Sequence, residues 1–377
     1  MSALSSVLQT ANGLPLKLSK EYEKVISDMG EYARCAADIK YFATKYVWIL
    51  NQNNQQIEKW EPWEYLLDLL DILLLYKVIY IVKASQVGVS WLLGIFNDWL
   101  ANFNQTARCL LLSQGKVEAQ ELLDKVNFIH DNLPSSLKFP IDKDNREFMS
   151  FKGNYSQIRA LPSTEKAGHG YQATAVTRDE LARHEHAREN FRAVARTGGK
   201  LIELSTAHKA DPTNYFQEKT YNFWSHPETK KQVYASGLEL YTNSSQPRTC
   251  LVFLHRNIRP VREEGLSPEE WFQSVIIPNF TPFEIEEQFP LVINDVFKES
   301  GIRAYFDEAS LDGMLSDIGV PLKQNEVNTF NGIIRIYKLP VVGRRYAVFT
   351  DPSLGSADPF VTRVKDCSTG ERVASAT

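Results

Sequence analysis

Three short runs in this chain carry residues whose types and spacing suit phosphate chemistry. The first is Lys83-Ala84-Ser85-Gln86-Val87-Gly88-Val89-Ser90, which follows an apolar stretch. It fills the frame of a phosphate-binding loop, G-x-x-x-x-G-K-[ST], with lysine in the first glycine slot and Val89 where the lysine belongs. Backbone N–H groups around Gly88 and a following helix start can cradle phosphates, and the Ser90 hydroxyl can reach Mg²⁺. A lysine entering from the front of the loop supplies the missing positive charge. The second run, Asp179-Glu180, ends the stretch Ala173–Thr177. Beside such a loop, Asp179 would hold Mg²⁺ through water and Glu180 would polarise the attacking water. The same two acids also suit a plain helix start. The third run, Ser205-Thr206, closes Leu201–Leu204. Strand-end hydroxyls there can sense a terminal phosphate or merely cap a turn. The order of the three is more specific than any member, and together they point to nucleotide hydrolysis. Upstream, Trp63 and Glu64 can bracket an adenine ring, although Pro62 before them also marks an ordinary helix start.

These residues need strands to carry them to one edge and helices to cover the strands. Val78–Val82 is β-branched and uncharged, as a buried strand is. Trp91–Ala101 then reads as a helix, Ala107–Leu112 as a strand and Lys116–Asn132 as a helix stopped by Pro134. Further strands are expected at Gln157–Leu161, Ala173–Thr177 and Lys200–Ser205. Leu66, Leu69, Leu70, Leu73 and Leu74 give Glu64–Tyr76 the apolar face of a helix. Tyr22–Leu50 reads as helical and Asn51–Lys59 as a polar loop. The alternation predicts an α/β fold, a mainly parallel sheet with helices on both faces. Beyond about Asp211 aromatics and prolines increase, with strands expected near Gln232–Leu238 and Cys250–His255. Residues 312–331 read as a linker, and Ile333–Tyr337 and Tyr346–Thr350 begin a strand-rich unit. That unit stops in mid-pattern at Thr377, so the chain reads as truncated.

Composition narrows the class. The 377 residues are 43% hydrophobic and 23% charged, as in an ordinary globular protein. A net charge of −4 gives no global basic field, so any nucleic-acid contact must be local. Four well-separated cysteines argue against a zinc site or a disulfide framework and for a reducing compartment. Asp68, Asp71 and Lys77 interrupt the richest apolar run, Leu66–Val82, so no membrane span is expected.

The three runs, in their order, resemble the large terminase subunit of tailed bacteriophages, the motor that pumps DNA into a capsid. The resemblance covers nearly everything from about Gln52. Lys83–Ser90 is similar to the lysine-first Walker A loop of lambda-type relatives, Asp179-Glu180 to the Walker B pair and Ser205-Thr206 to the coupling motif. Pro62-Trp63-Glu64 lies where many relatives carry a Pro-Trp-Gln adenine motif, from which Glu64 departs. Gln288-Phe289-Pro290, Asp295-Val296-Phe297 and Gly301 with Ala304 resemble the stretch before the nuclease domain. Tyr346–Pro352 and Gly355–Asp358 resemble the opening of the RNase H-like terminase nuclease, with Asp351 as its first metal-binding carboxylate. The resemblance implies a P-loop NTPase domain (residues 1–310), a linker (311–340) and the first part of an RNase H-like domain (341–377). It implies ATP and Mg²⁺ at the motor site, and Mg²⁺ or Mn²⁺ at a nuclease site that this chain leaves incomplete. The partners implied are double-stranded DNA, the portal protein and the small terminase subunit, with a homo-oligomeric ring on the portal in the host cytoplasm. A helicase-like ATPase and a non-enzymatic capsid or portal interaction protein with a dead loop are the alternatives.

An arginine normally neutralises charge in such hydrolysis. Many relatives carry one in the loop, where Ser85 stands here, and others carry Arg-Gly where His169-Gly170 stands. Arg159 and Arg178 are the nearest candidates, and the residues assign neither. Arg188, Arg192 and Arg196 recur every four residues and would form one basic helical face for DNA phosphates. A solvated face paired with Glu185 and Glu189 is the equal alternative.

Overall fold

The computed structural model describes residues 20–51, 54–165, 167–168, 170–262, 265–298, 300, 326–329, 332–351 and 361–376. The chain divides into two compact units between Ser300 and Gly301. In the first, helices α1 (Lys20–Ala37) and α2 (Ile39–Tyr46) lead into a hairpin of β1 (Trp48–Asn51) and β2 (Gln56–Lys59), and α3 (Glu64–Leu75) follows. Then come β3 (Val78–Lys83), α4 (Val89–Phe103), β4 (Arg108–Ser113), α5 (Lys116–Asp131), β5 (Ile141–Asn145), β6 (Phe148–Phe151), β7 (Gln157–Pro162) and β8 (Ala175–Arg178). The unit continues through α6 (Ala187–Ala195), β9 (Lys200–Ser205), α7 (Tyr215–Trp224), β10 (Thr229–Val233), β11 (Glu239–Asn243) and β12 (Thr249–Leu254). Four short helices finish it: α8 (Pro268–Trp271), α9 (Ile277–Asn279), α10 (Pro282–Gln288) and α11 (Ile293–Phe297).

Ten strands form one sheet, ordered β10-β11-β12-β3-β9-β8-β4-β7-β6-β5. From β12 to β7 every pair is parallel, while β10-β11-β12 and β7-β6-β5 add antiparallel flanks. Side chains of a strand alternate between faces, and β3 shows what each face meets. Ile79 and Ile81 join Leu66, Leu69, Leu93 and Phe96 on one side. Tyr80 and Val82 join Phe216, Phe223 and Val296 on the other. This is the α/β class, a mainly parallel sheet with helices on both faces, expected from the alternation of patterns.

Some boundaries differ from expectation. The single helix expected over Tyr22–Leu50 breaks at Asp38, whose side chain accepts the Tyr41 N–H at 3.0 Å and caps α2. It ends at Tyr46, and the polar stretch read as a loop supplies β2, paired to β1 from Trp48↔Lys59 to Asn51↔Gln56. The strand expected near Gln232–Leu238 lies earlier: β10 ends at Val233, and residues 234–238 form the turn of the β10–β11 hairpin, where Gly237 takes φ +88°.

The second unit is a five-stranded antiparallel sheet ordered β13 (Glu326–Thr329), β14 (Gly332–Ile336), β17 (Arg372–Ala376), β16 (Val361–Asp366), β15 (Tyr346–Asp351). Within the expected linker, the described residues 326–329 are therefore a strand, while β14 lies at the strand expected over Ile333–Tyr337. Among the described residues, no helix is long and apolar enough to cross a membrane.

Candidate functional site

Because β3, β9 and β8 are parallel neighbours, their C-terminal ends share one edge of the sheet, where open α/β sheets bind ligands. Val82 pairs with Ser205 and Arg178 with Glu203, so the register brings Lys83, Ser205 and Asp179-Glu180 together. Lys83 is only 8% exposed, and its Nζ lies 2.8 Å from Glu180 Oε1. The Ser205 hydroxyl donates to Glu180 Oε2 at 3.2 Å. Glu180 itself holds φ +50°, the left-handed region that costs a non-glycine residue energy.

Arg183, which the sequence did not single out, completes the cluster. It follows Glu180 within one short turn (Leu181–Arg183). Its Nη1 donates to Glu180 Oε2 at 3.2 Å and to Thr206 Oγ1 at 2.8 Å. Its Nη2 reaches the Ala207 carbonyl at 3.4 Å and Glu287 Oε2 at 3.5 Å. The one signal for it in sequence was a cation three residues after an acid.

The electrostatics follow from this crowding. Burial alone would raise the Glu180 pKa, but Lys83, then Arg183 and the Ser205 hydroxyl, hold it well below the usual carboxylate range. Asp179 is raised, by burial first and with Glu180's charge adding to it, against the pull of Lys83. Its Oδ1 accepts the Glu180 N–H at 3.0 Å. Lys83 stays charged, because Glu180 and Asp179 outweigh its burial.

The loop between β3 and α4 is pinned from outside. Ser85 donates its N–H to the Gln288 carbonyl at 2.7 Å and its hydroxyl to Gln288 Oε1 at 3.2 Å. Tyr65 donates to the Val87 carbonyl at 2.8 Å and Arg262 Nη1 to the Gln86 carbonyl at 3.0 Å. Ala84 is buried, and its N–H continues the β3–β12 ladder to Leu254 at 2.8 Å. Gly88 takes φ +75° as the N-cap of α4, and a Cβ there would lie 3.3 Å from the Trp63 ring. Glycine answers both demands. Val89, in the slot of the usual lysine, is 2% exposed and packs into the core.

A cleft of about 1070 Å³ opens beside the loop, lined by Gln86, Gly88 and Ser90 and by Trp63, Trp91, Lys125 and Arg259. The Arg259 guanidinium sits 4.5 Å from the centre of the Trp63 ring. Trp63 thus faces the cleft, while Glu64 is exposed on the first turn of α3 and does not line it. Ser90 is half-buried at the cleft wall.

Neither arginine candidate from sequence reaches the Lys83–Glu180 cluster. Arg178 is fully buried, paired with Glu203 and bonded to Asn190 and the Ala187 carbonyl. Arg159 lies on β7 over the Phe148 ring at 4.1 Å. His169 lies outside the described residues. Arg188 and Arg192 stand on α6, with Arg196 its C-cap, and all three are exposed. Arg188 pairs with Glu218 of α7 and not with the expected Glu185 or Glu189. Asp351 is the last residue of β15, opposite Val361.

Among the described residues no cluster of three or more His, Cys, Asp or Glu side chains suits a metal ion. Mg²⁺ beside nucleotide phosphates needs only one or two protein ligands. Asp179, an oxygen ligand of the type Mg²⁺ takes, stands next to Glu180 at the same strand end, with its Oδ1 on the Glu180 N–H at 3.0 Å.

No family model and no curated protein matches the sequence. Solved structures do. The large terminase of bacteriophage HK97 superposes with a TM-score of 0.52 at 11% identity, over 89% of this chain and 66% of that one. The large terminase ATPase domain of Thermus phage P74-26 matches with a TM-score of 0.43 at 13% identity, over 59% of this chain and 89% of that one. This chain thus spans just under two thirds of the HK97 protein. The parallel sheet order and the HK97 superposition together give the chain a large-terminase-like fold.

Proposed function

We propose that this chain is the ATP-hydrolysing motor of a viral DNA-packaging machine. The observation that carries the reading is the meeting of Lys83, Glu180 and Ser205 at the carboxyl edge of parallel strands, beside a loop that starts a helix. Lys83 and Arg183 each hold one of the two Glu180 oxygens. ATP phosphates compete for Lys83, which releases Glu180 Oε1 to orient water against the terminal phosphate. Loop N–H groups around Gly88 bind the phosphates, and Trp63 offers the base a face within the cleft. Ser90 and Asp179 would hold Mg²⁺, which when bound screens the phosphate charge and templates the reacting oxygens. Ser205 and Thr206 touch Glu180 and Arg183, so they register whether the acid is engaged.

The substrate moved would be double-stranded DNA, with the exposed Arg188, Arg192 and Arg196 as a phosphate-contacting face. The motor would work as a ring on the portal, with a small terminase subunit choosing the DNA. Asp351, at the end of β15, would be the first carboxylate of a metal-dependent nuclease. Calorimetric titration with Mg·ATP tests the core of the reading. The unmodified protein is expected to bind and hydrolyse ATP and Lys83→Ala to do neither. Equal binding by both would refute the site.

A further inference from the structure

The C-terminal end of α10 grips the site from two sides through consecutive residues. Gln288 holds the front of the phosphate loop through both Ser85 bonds, at 2.7 and 3.2 Å. Glu287 turns to the acid side. It is 8% exposed, and its carboxylate takes Arg183 Nη2 at 3.5 Å and the Ala210 N–H at 3.3 Å, with His208 Nδ1 at 3.3 Å. Consecutive helical residues point about 100° apart, so one helix end can serve both partners. The segment after β9 is fastened here a second time, because the buried Lys209 donates to the Asp295, Val296 and Lys298 carbonyls around α11.

Arg183 is shared between two carboxylates, Glu180 and Glu287. A cation divided in this way leaves more negative charge on Glu180 than one committed to it alone. We propose that Glu287 is a positioning residue for hydrolysis, which draws Arg183 off Glu180, and that α10 is a clasp joining the phosphate loop to the acids. This rests on the ATPase reading above. When ATP takes Lys83, Arg183 remains the only cation bonded to Glu180 in the described cluster, and Glu287 sets how strongly it pairs. A glutamine at 287 keeps hydrogen bonds but surrenders the claim on the guanidinium, so Glu180 becomes the poorer base while the nucleotide cleft is untouched.

Steady-state ATPase kinetics and thermal unfolding of Glu287→Gln, Arg183→Ala and the double variant test the clasp. Glu287→Gln is expected to lower kcat roughly tenfold with KM for ATP within about twofold, and to cost nothing more once Arg183 is gone. Glu287→Asp, which keeps the charge, should recover part of kcat. Gln288→Ala leaves Glu287 in place and removes only the acceptor of the Ser85 hydroxyl, and its kcat loss should not multiply with that of Glu287→Gln. Losses that multiply independently, a changed KM at constant kcat, or a kcat loss that merely tracks lowered Tm would each overturn the clasp. Absence of turnover in the unmodified protein would overturn the ATPase reading, and the clasp with it.

Discussion

Replacing Glu180 by glutamine should separate binding from chemistry in opposite directions. At 2.8 Å the Lys83–Glu180 pair has a gross attraction of about 6 kcal/mol at an effective dielectric near 20. Desolvating the two groups offsets most of it, leaving a net of about 1–3 kcal/mol. ATP must overcome that net to engage the lysine. Glutamine removes the competing charge, while Asp179 remains to favour the charged ammonium. ATP affinity should therefore rise about tenfold, equivalent to about 1.4 kcal/mol. Loss of the water-orienting carboxylate should at the same time lower kcat by about 10²- to 10⁴-fold. The assay is calorimetric titration of Glu180→Gln with Mg·ATP, against the unmodified protein with a non-hydrolysable analogue, alongside phosphate release. Turnover near that of the unmodified protein, or weaker binding by the variant, would refute the argument that Glu180 holds Lys83 in reserve.

Three further outcomes follow from packing and charge. Glu203→Gln strands the fully buried Arg178 without its anion, so unfolding should become easier by about 3–5 kcal/mol; an unchanged denaturant midpoint would count against this. His130 places Nδ1 3.0 Å from Asp98 and Nε2 2.9 Å from the Phe139 carbonyl, so the protonated ring can donate to both. Burial lowers its pKa, but Asp98 and that carbonyl outweigh burial and raise it above 6.5. The pair's stabilisation is then complete below 6.5 and fades as pH rises through the raised value, a trend in Tm that His130→Gln should abolish. At Gly199 a Cβ would lie 2.3 Å from the Ala173 carbonyl oxygen, so Gly199→Ala must part the start of β8 from β9. It should cost about 1–3 kcal/mol or more, read from chemical denaturation.

The parts of the site legible in sequence were those fixed by strand ends. Lys83, Asp179-Glu180 and Ser205-Thr206 each close a strand-like run, and parallel pairing then leaves them one edge to meet at. Arg183 carried only its spacing of three residues from Glu180, for the opposite reason. Its role depends on the left-handed Glu180 and the short turn after it, and neither has a pattern. Arg178 misled because a charge in a strand reads as available, whereas Glu203, 25 residues later, encloses it. The break at Asp38 was readable as a cap, but the β1–β2 hairpin depends on pairing across a polar stretch with weak alternation. Glu287 and Gln288 act about two hundred residues from the loop, as the Ser85–Gln288 separation of 203 shows, and no local rule reaches so far.

The Arg178–Glu203 pair also works as a key in a keyway. Sliding β8 against β9 by one residue would turn one of these ions to the opposite face of the sheet, leaving each without its counter-ion in the dry core. The two strands are thereby locked as a single plate. Beyond the plate, the turn at 180–183 is tied to Glu287 through Arg183, and the run at 205–210 to Glu287 and α11 through Ala210 and Lys209. The plate therefore fixes the spacing of the two strand ends from which Glu180 and Ser205 meet.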